Sequence, residues 1–192
     1  MQQSNVIGTN ARPLNSNKIK VIGAVLSLVL LGFVILLYLD VYSPYTIPGV
    51  VHYQALSRTH DNTVSITNGD LPPPGGAHFD RWQNCGIYTE PIETGYAIHS
   101  MEHGAVWITY QPDLPEDDIV YLQTLVRGED YLLLSPYPGL RSPVVLTAWG
   151  VQLELDSMRD DRVTRFIAHY RQGPTAPELG ASCTGGVGQP HP

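Results

Sequence analysis

Residues 104–136 read GAVWITYQPDLPEDDIVYLQTLVRGEDYLLLSP, and the change of rhythm inside this stretch decides the fold class. GAVWITY is short, β-branched and aromatic, and Pro112 closes it, which predicts a strand. LPEDDIVYLQTLVRG follows with Pro115 and three acidic residues in a first turn, apolar residues at Ile119, Leu122 and Val126, and Gly128 as a stop. That pattern predicts a helix. YLLLSPYP then returns to strand character. Further on, SPVVLTAWGVQLEL (142–155) predicts strand again, with a break at Gly150, and MRDDRVTRFIAHYRQG (158–173) predicts a second helix with Val163, Ile167 and Tyr170 on one stripe. Strand, helix, strand, strand, helix points to an α+β domain: a small, mainly antiparallel sheet packed with two helices and joined by long Pro/Gly-rich loops.

Toward the N-terminus the chemistry changes. Val21–Leu39, VIGAVLSLVLLGFVILLYL, carries no charged residue and matches the roughly 20 residues that a bilayer core requires. A cleaved signal peptide is the competing reading, but its apolar region is shorter and ends at small residues, whereas this run ends in YLDVYSPY. Arg12, Lys18 and Lys20 precede the run and Asp40 follows it. The positive-inside rule therefore places the N-terminus in the cytoplasm and the rest of the chain outside a single-pass anchor. The expected organisation is a polar cytoplasmic segment over 1–18, a transmembrane helix over 19–40, a linker over 41–51, an extracytoplasmic α+β domain over 52–173 and a Pro/Gly-rich tail over 174–192.

The chain has 192 residues, 43% hydrophobic and 15% charged, with a formal charge of -7. That suits one globular domain with a short accessory segment. The acidic balance argues against nucleic acid as a partner, because phosphate binding needs clustered Lys and Arg. The expected partners are instead the lipid bilayer, through residues 21–39, and a membrane protein complex.

Candidate chemistry gathers just before the first strand, in AIHSMEH (97–103). His99 and His103 are four apart, so on a helical turn their rings share a face and can grip one ion. Glu102 can serve as third ligand, tautomer-fixing partner or general base. The order is not the H-E-x-x-H of zinc proteases, since Ser100 stands where the glutamate belongs. His78, at the end of PPPGGAH, is a natural third imidazole, and His52 or His60 could approach from the region of a further predicted strand, VVHYQAL (50–56). The competing reading makes these histidines hydrogen-bonding struts in a surface with little regular backbone pairing. Cys85 and Cys183 lie in small, Gly-flanked contexts, QNCGIY and ASCTGGVG. In an oxidising compartment they can pair, closing a loop of roughly 100 residues worth about 4 to 5 kcal/mol. Alternatively Cys85 can act as a soft metal ligand beside the histidines. No C-x-x-C is present, so thioredoxin-like chemistry is not indicated.

PPPGGAH, RWQNCGIYTEPI and AIHSMEHGAVWITYQPDLP together resemble a membrane-anchored family known as domain of unknown function 3105, with its PP-x-SG-x-H loop and H-S-L-E-H-G segment. Pro72, Pro73, Gly76, His78, His99, Glu102, His103 and Gly104 match those motifs, while Gly75 replaces the serine and Met101 the leucine. The resemblance runs from about His52 to Pro115 and includes the tail PELGASCTGGVG. It implies that the histidine set is a recurring site and brings no activity with it. The expectation is a metal-handling domain, binding copper or zinc through His78, His99, His103, Glu102 and Cys85, against the alternative of a non-catalytic interaction module or accessory subunit.

Overall fold

The computed structural model describes residues 16–41, 46–66 and 69–191. The expected polar segment lies outside the described residues as far as residue 15, as do linker residues 42–45. The chain divides into two compact units, one ending at Thr46 and one beginning at Ile47. The first contains α1 (Ser16–Val41), whose 26 residues extend about 39 Å at 1.5 Å per residue. Its stretch Asn17–Leu36 is long and apolar enough to cross a membrane.

The second unit is α+β. Among the described residues its six strands are β1 (Val51–His52), β2 (Gly86–Ile87), β3 (Val106–Tyr110), β4 (Leu132–Pro136), β5 (Val144–Ala148) and β6 (Val151–Leu155), arranged in the order β1-β6-β5-β3-β4-β2. β1–β6, β6–β5 and β5–β3 are antiparallel, whereas β3–β4 and β4–β2 are parallel, so the sheet is mixed. The parallel half follows from the helix α3 (Glu116–Val126), which carries the chain from the end of β3 back to the start of β4. A parallel neighbour needs such a crossover, whereas β5 and β6 need only the turn at Trp149 and Gly150.

Both faces of the sheet are covered, which explains the unbroken LLL of β4: a strand buried on two sides reads as an apolar run rather than an alternation. Side chains nonetheless divide by the two-residue period of the strand. Val106, Ile108, Leu132, Leu134 and Leu146 face a cluster with Leu122 and Val126 of α3 and with Val163, Phe166 and Tyr170 of α4 (Asp161–Tyr170). Trp107, Leu133 and Val145 face the other way, against Ala97, Ile98 and Met101.

Those last three residues belong to α2 (Thr94–Glu102), a helix beyond the two expected, of which the helical turn considered for His99 and His103 forms the end. TGYAIHSME has weak intrinsic helix preference, and tertiary packing supplies the difference. Ala97, Ile98 and Met101 are buried on the sheet, and the Ser100 hydroxyl donates to the Gln83 and Tyr96 carbonyls. The helix ends on Gly104 at φ 103°, with the Gly104 amide donating to the Met101 carbonyl and the Ala105 amide to that of Ser100. This is a Schellman closure, which the left-handed conformation of glycine permits, and it turns the chain directly into β3. The tail is fastened as well: Cys183 is bonded to Cys85, and short bridges join Gln83 to Val187 and Ile87 to His191.

Candidate metal centre

α2 presents His99, Glu102 and His103 on the side away from its sheet contacts, and one turn of helix brings the His99 and His103 ring centroids to 4.6 Å. The His78 ring reaches the same place from the Pro/Gly loop, with its centroid 5.0 Å from His99. Two backbone bonds fix that loop end to the strand-like segment before it: His78 amide to Thr59 carbonyl at 3.0 Å and Asp61 amide to His78 carbonyl at 2.7 Å. They also deliver His60, whose ring stacks on His99 at 4.6 Å with 8° between the planes.

The second ring nitrogens show what the imidazoles are set up to do. His78 Nδ1 lies 2.7 Å from the Gly76 carbonyl oxygen, His99 Nδ1 2.7 Å from that of Phe79 and His103 Nδ1 2.6 Å from that of Ser182. A carbonyl oxygen only accepts, so each Nδ1 donates a proton. In the neutral ring this leaves the lone pair on Nε2, the arrangement by which outer partners orient metal-binding histidines.

Glu102 occupies the centre with its side chain 1% exposed. Its Oε1 accepts from Arg58 Nε at 3.0 Å, and its Oε2 accepts from His60 Nε2 at 3.1 Å. The same Oε2 stands 3.0 Å from His78 Nε2, a nitrogen whose ring has already committed its other proton to Gly76. Between a lone pair and a carboxylate oxygen only a proton or a metal cation is favourable. Burial works to raise the Glu102 pKa, but the Arg58 bond and the neighbouring His78 and His60 outweigh it and hold the carboxyl below its ordinary value. His99 is pushed below the ordinary imidazole value, chiefly by burial and further by the charges of His103, His78 and His60, against the opposing bond to Phe79. A depressed imidazole pKa keeps the nitrogen unprotonated and available as a ligand.

Two groups result. His60, His78, His99 and Glu102 offer one ligand atom each, all within 4.8 Å of one another. His99, His103 and Glu178 do the same. Thus His78 and His103, expected in one set, fall into different groups joined by His99. Cys85 needs correction: its sulfur is bonded to Cys183, with the Cα atoms 5.4 Å apart, and no thiolate remains to ligate a metal. Met101 is core. His60 was considered in sequence but not placed in the set, and Glu178 and Arg58 were missed. The signal for Glu178 was the tie at Cys183, which draws the tail toward Cys85 and so toward α2.

Aromatic rings and glycines build the walls. Trp82 lies over His99 and His103 at 5.8 and 5.0 Å, and Trp149 meets His78 edge-on at 5.7 Å. Gly95 lets the Phe79 ring sit directly on α2, since a Cβ there would come within 2.5 Å of that ring. The Phe79 carbonyl is thereby held over His99.

No curated protein and no solved structure matches this chain. The family described as a protein of unknown function, DUF3105, matches over residues 60–185, a span that includes every residue of both ligand groups, and the chain therefore belongs to that family.

Proposed function

We propose that this protein is a single-pass membrane protein whose extracytoplasmic domain binds one transition-metal ion, zinc or copper(II), and handles it without catalysis. Residues 19–40 are the anchor, 52–173 the α+β domain and 174–192 a Pro/Gly-rich tail that brings Glu178 and Ser182 to the site. Lys18 and Lys20 before the apolar run and Asp40 after it support a cytoplasmic N-terminus. The disulfide supports an oxidising compartment for the domain.

The observation that carries the metal reading is the shared orientation of three imidazoles, each with Nδ1 engaged by a backbone carbonyl and Nε2 turned to the cluster. Imidazole and carboxylate donors without thiolate suit zinc or copper(II) over copper(I). Tetrahedral coordination at about 2.1 Å sets ligand atoms about 3.4 Å apart. Drawing in atoms that already lie within 4.8 Å needs side-chain adjustment, not refolding.

Elemental analysis of tag-free protein tests this, beside a His99→Ala/His103→Ala variant checked for its fold. One equivalent of zinc or copper in the parent, lost in the folded variant, is the expected result. No metal in either after incubation with both ions would refute it and make the histidines struts of an interaction module, to be pursued by capture of membrane partners.

A further inference from the structure

The two ligand groups share a residue that can serve only one ion at a time. His99 Nδ1 is held by the Phe79 carbonyl at 2.7 Å, so the neutral ring has a single lone pair, on Nε2. Yet His99 stands with His60, His78 and Glu102 on one side and with His103 and Glu178 on the other. The surroundings of the two sides differ. On the inner side His78 and Glu102 have side chains 0% and 1% exposed, and His60, 38% exposed, has its Nε2 taken by Glu102 Oε2 at 3.1 Å. On the outer side the Glu178 side chain is 41% exposed, and its Oε2 lies 3.7 Å from His103 Nε2.

We infer that the site holds a single ion that moves between two adjoining seats by ligand exchange on His99, with Glu178 as the ligand through which it enters and leaves. The inference rests on the metal reading above. In the exchange His99 Nε2 keeps its bond while bonds to His60, His78 and Glu102 break and bonds to His103 and Glu178 form, with no change of oxidation state. A second dication would find no lone pair on His99 and would be repelled by the first.

Arg58 and the backbone couple the seats. Arg58 Nε bonds Glu102 at 3.0 Å while its Nη2 lies 3.7 Å from Glu178 Oε1, so one guanidinium faces the carboxylates of both. Its side chain is half exposed and can swing aside as an ion replaces it. The Glu178 amide donates to the Glu102 carbonyl at 2.9 Å, which fixes the outer carboxylate beside the end of α2. A stepwise path of this kind lets a buried ion leave without losing all its ligands at once, as transfer to another carrier requires.

The test is full-chain protein in detergent loaded with zinc(II), its metal content measured and the rate of zinc transfer to an excess of a chromogenic chelator followed, for the parent and for Glu178→Gln. Expected are one equivalent in both and transfer slowed about tenfold in the variant, because the half-way ligand is gone. Two equivalents in the parent would overturn the single shared ion. One equivalent with an unaltered or faster transfer rate in Glu178→Gln would overturn the exchange path while leaving the metal site standing. No zinc in the parent would overturn the metal reading itself, and the exchange with it.

Discussion

Removing the Cys85–Cys183 bond by a Cys85→Ser/Cys183→Ser double substitution tests both the fold and the site. The cysteines are 98 residues apart in sequence. Loop-closure entropy for that span is about 16 cal/mol/K, or about 4.7 kcal/mol at 25 °C. For a domain of this size each kcal/mol shifts the midpoint by about 2 to 4 °C, so the melting temperature should fall by about 9 to 19 °C. The loss should also be local. Ser182, next to Cys183, supplies the carbonyl that orients His103, and Glu178 lies five residues before Cys183. The carbonyls orienting His78 and His99 come instead from Gly76 and Phe79, outside the tail. Thermal melts in chelator, with and without a phosphine reductant, read the first effect, since reduced parent and double variant should coincide. Zinc titration below the new midpoint reads the second, with affinity lowered about 10- to 100-fold as for loss of an outer partner. A midpoint within about 3 °C of the parent in chelator would refute the reasoning: the tail would then be held by its backbone bridges alone.

Three further outcomes are expected. Gly95→Ala places a methyl 2.5 Å from the Phe79 ring and should cost about 1 to 3 kcal/mol through forced displacement, together with loss of the slowly exchanging His99 Nδ1 proton by NMR; a melt and spectrum like the parent's would contradict this account of Gly95. Phe166→Ala removes a fully buried ring of the α4 face and should cost about 3 to 5 kcal/mol in denaturant unfolding while zinc stoichiometry in the folded fraction holds, because that face is opposite the histidines. In metal-free protein, acidification should destabilise. His99 has a folded pKa below its unfolded one, so the unfolded chain binds more protons and stability is lost as pH falls below about 6.5. Glu102, also lowered, contributes stability above its ordinary carboxyl value that is lost as pH falls through its folded one. Melts between pH 8 and 4 should therefore be flat for these groups above about 7 and fall below about 6, and His99→Gln should flatten the upper part of that decline; an unchanged decline would show that His99 is not its source.

How much of this was legible in the sequence depends on the range of the interaction that fixes each element. GAVWITY, EDDIVYLQTLV and DRVTRFIAHY became β3, α3 and α4 because their period or β-branching acts between residues a few positions apart. The charge-free run over Val21–Leu39 was equally local, and so was the compartment logic that favoured pairing two cysteines. α2 was not legible, because Thr, Gly, His and Ser favour it little. Its helix comes from Ala97, Ile98 and Met101 meeting Trp107 and Leu133 across the sheet. The parallel pairing of β3 with β4 was legible in the strand–helix–strand order of 104–136, the pattern of a crossover, and the expectation of a mainly antiparallel sheet did not use it. At the site, the sequence supplied the residue types, three imidazoles and a carboxylate in two short motifs. Only tertiary structure decided that His78 and His103 stand on opposite sides of His99, that His60 and Glu178 join them, and that Cys85 is taken up by Cys183. The reason is physical: a metal-ligand set is a constraint of a few ångströms in space, and residues from 60 to 178 reach it only after the sheet has brought their loops together.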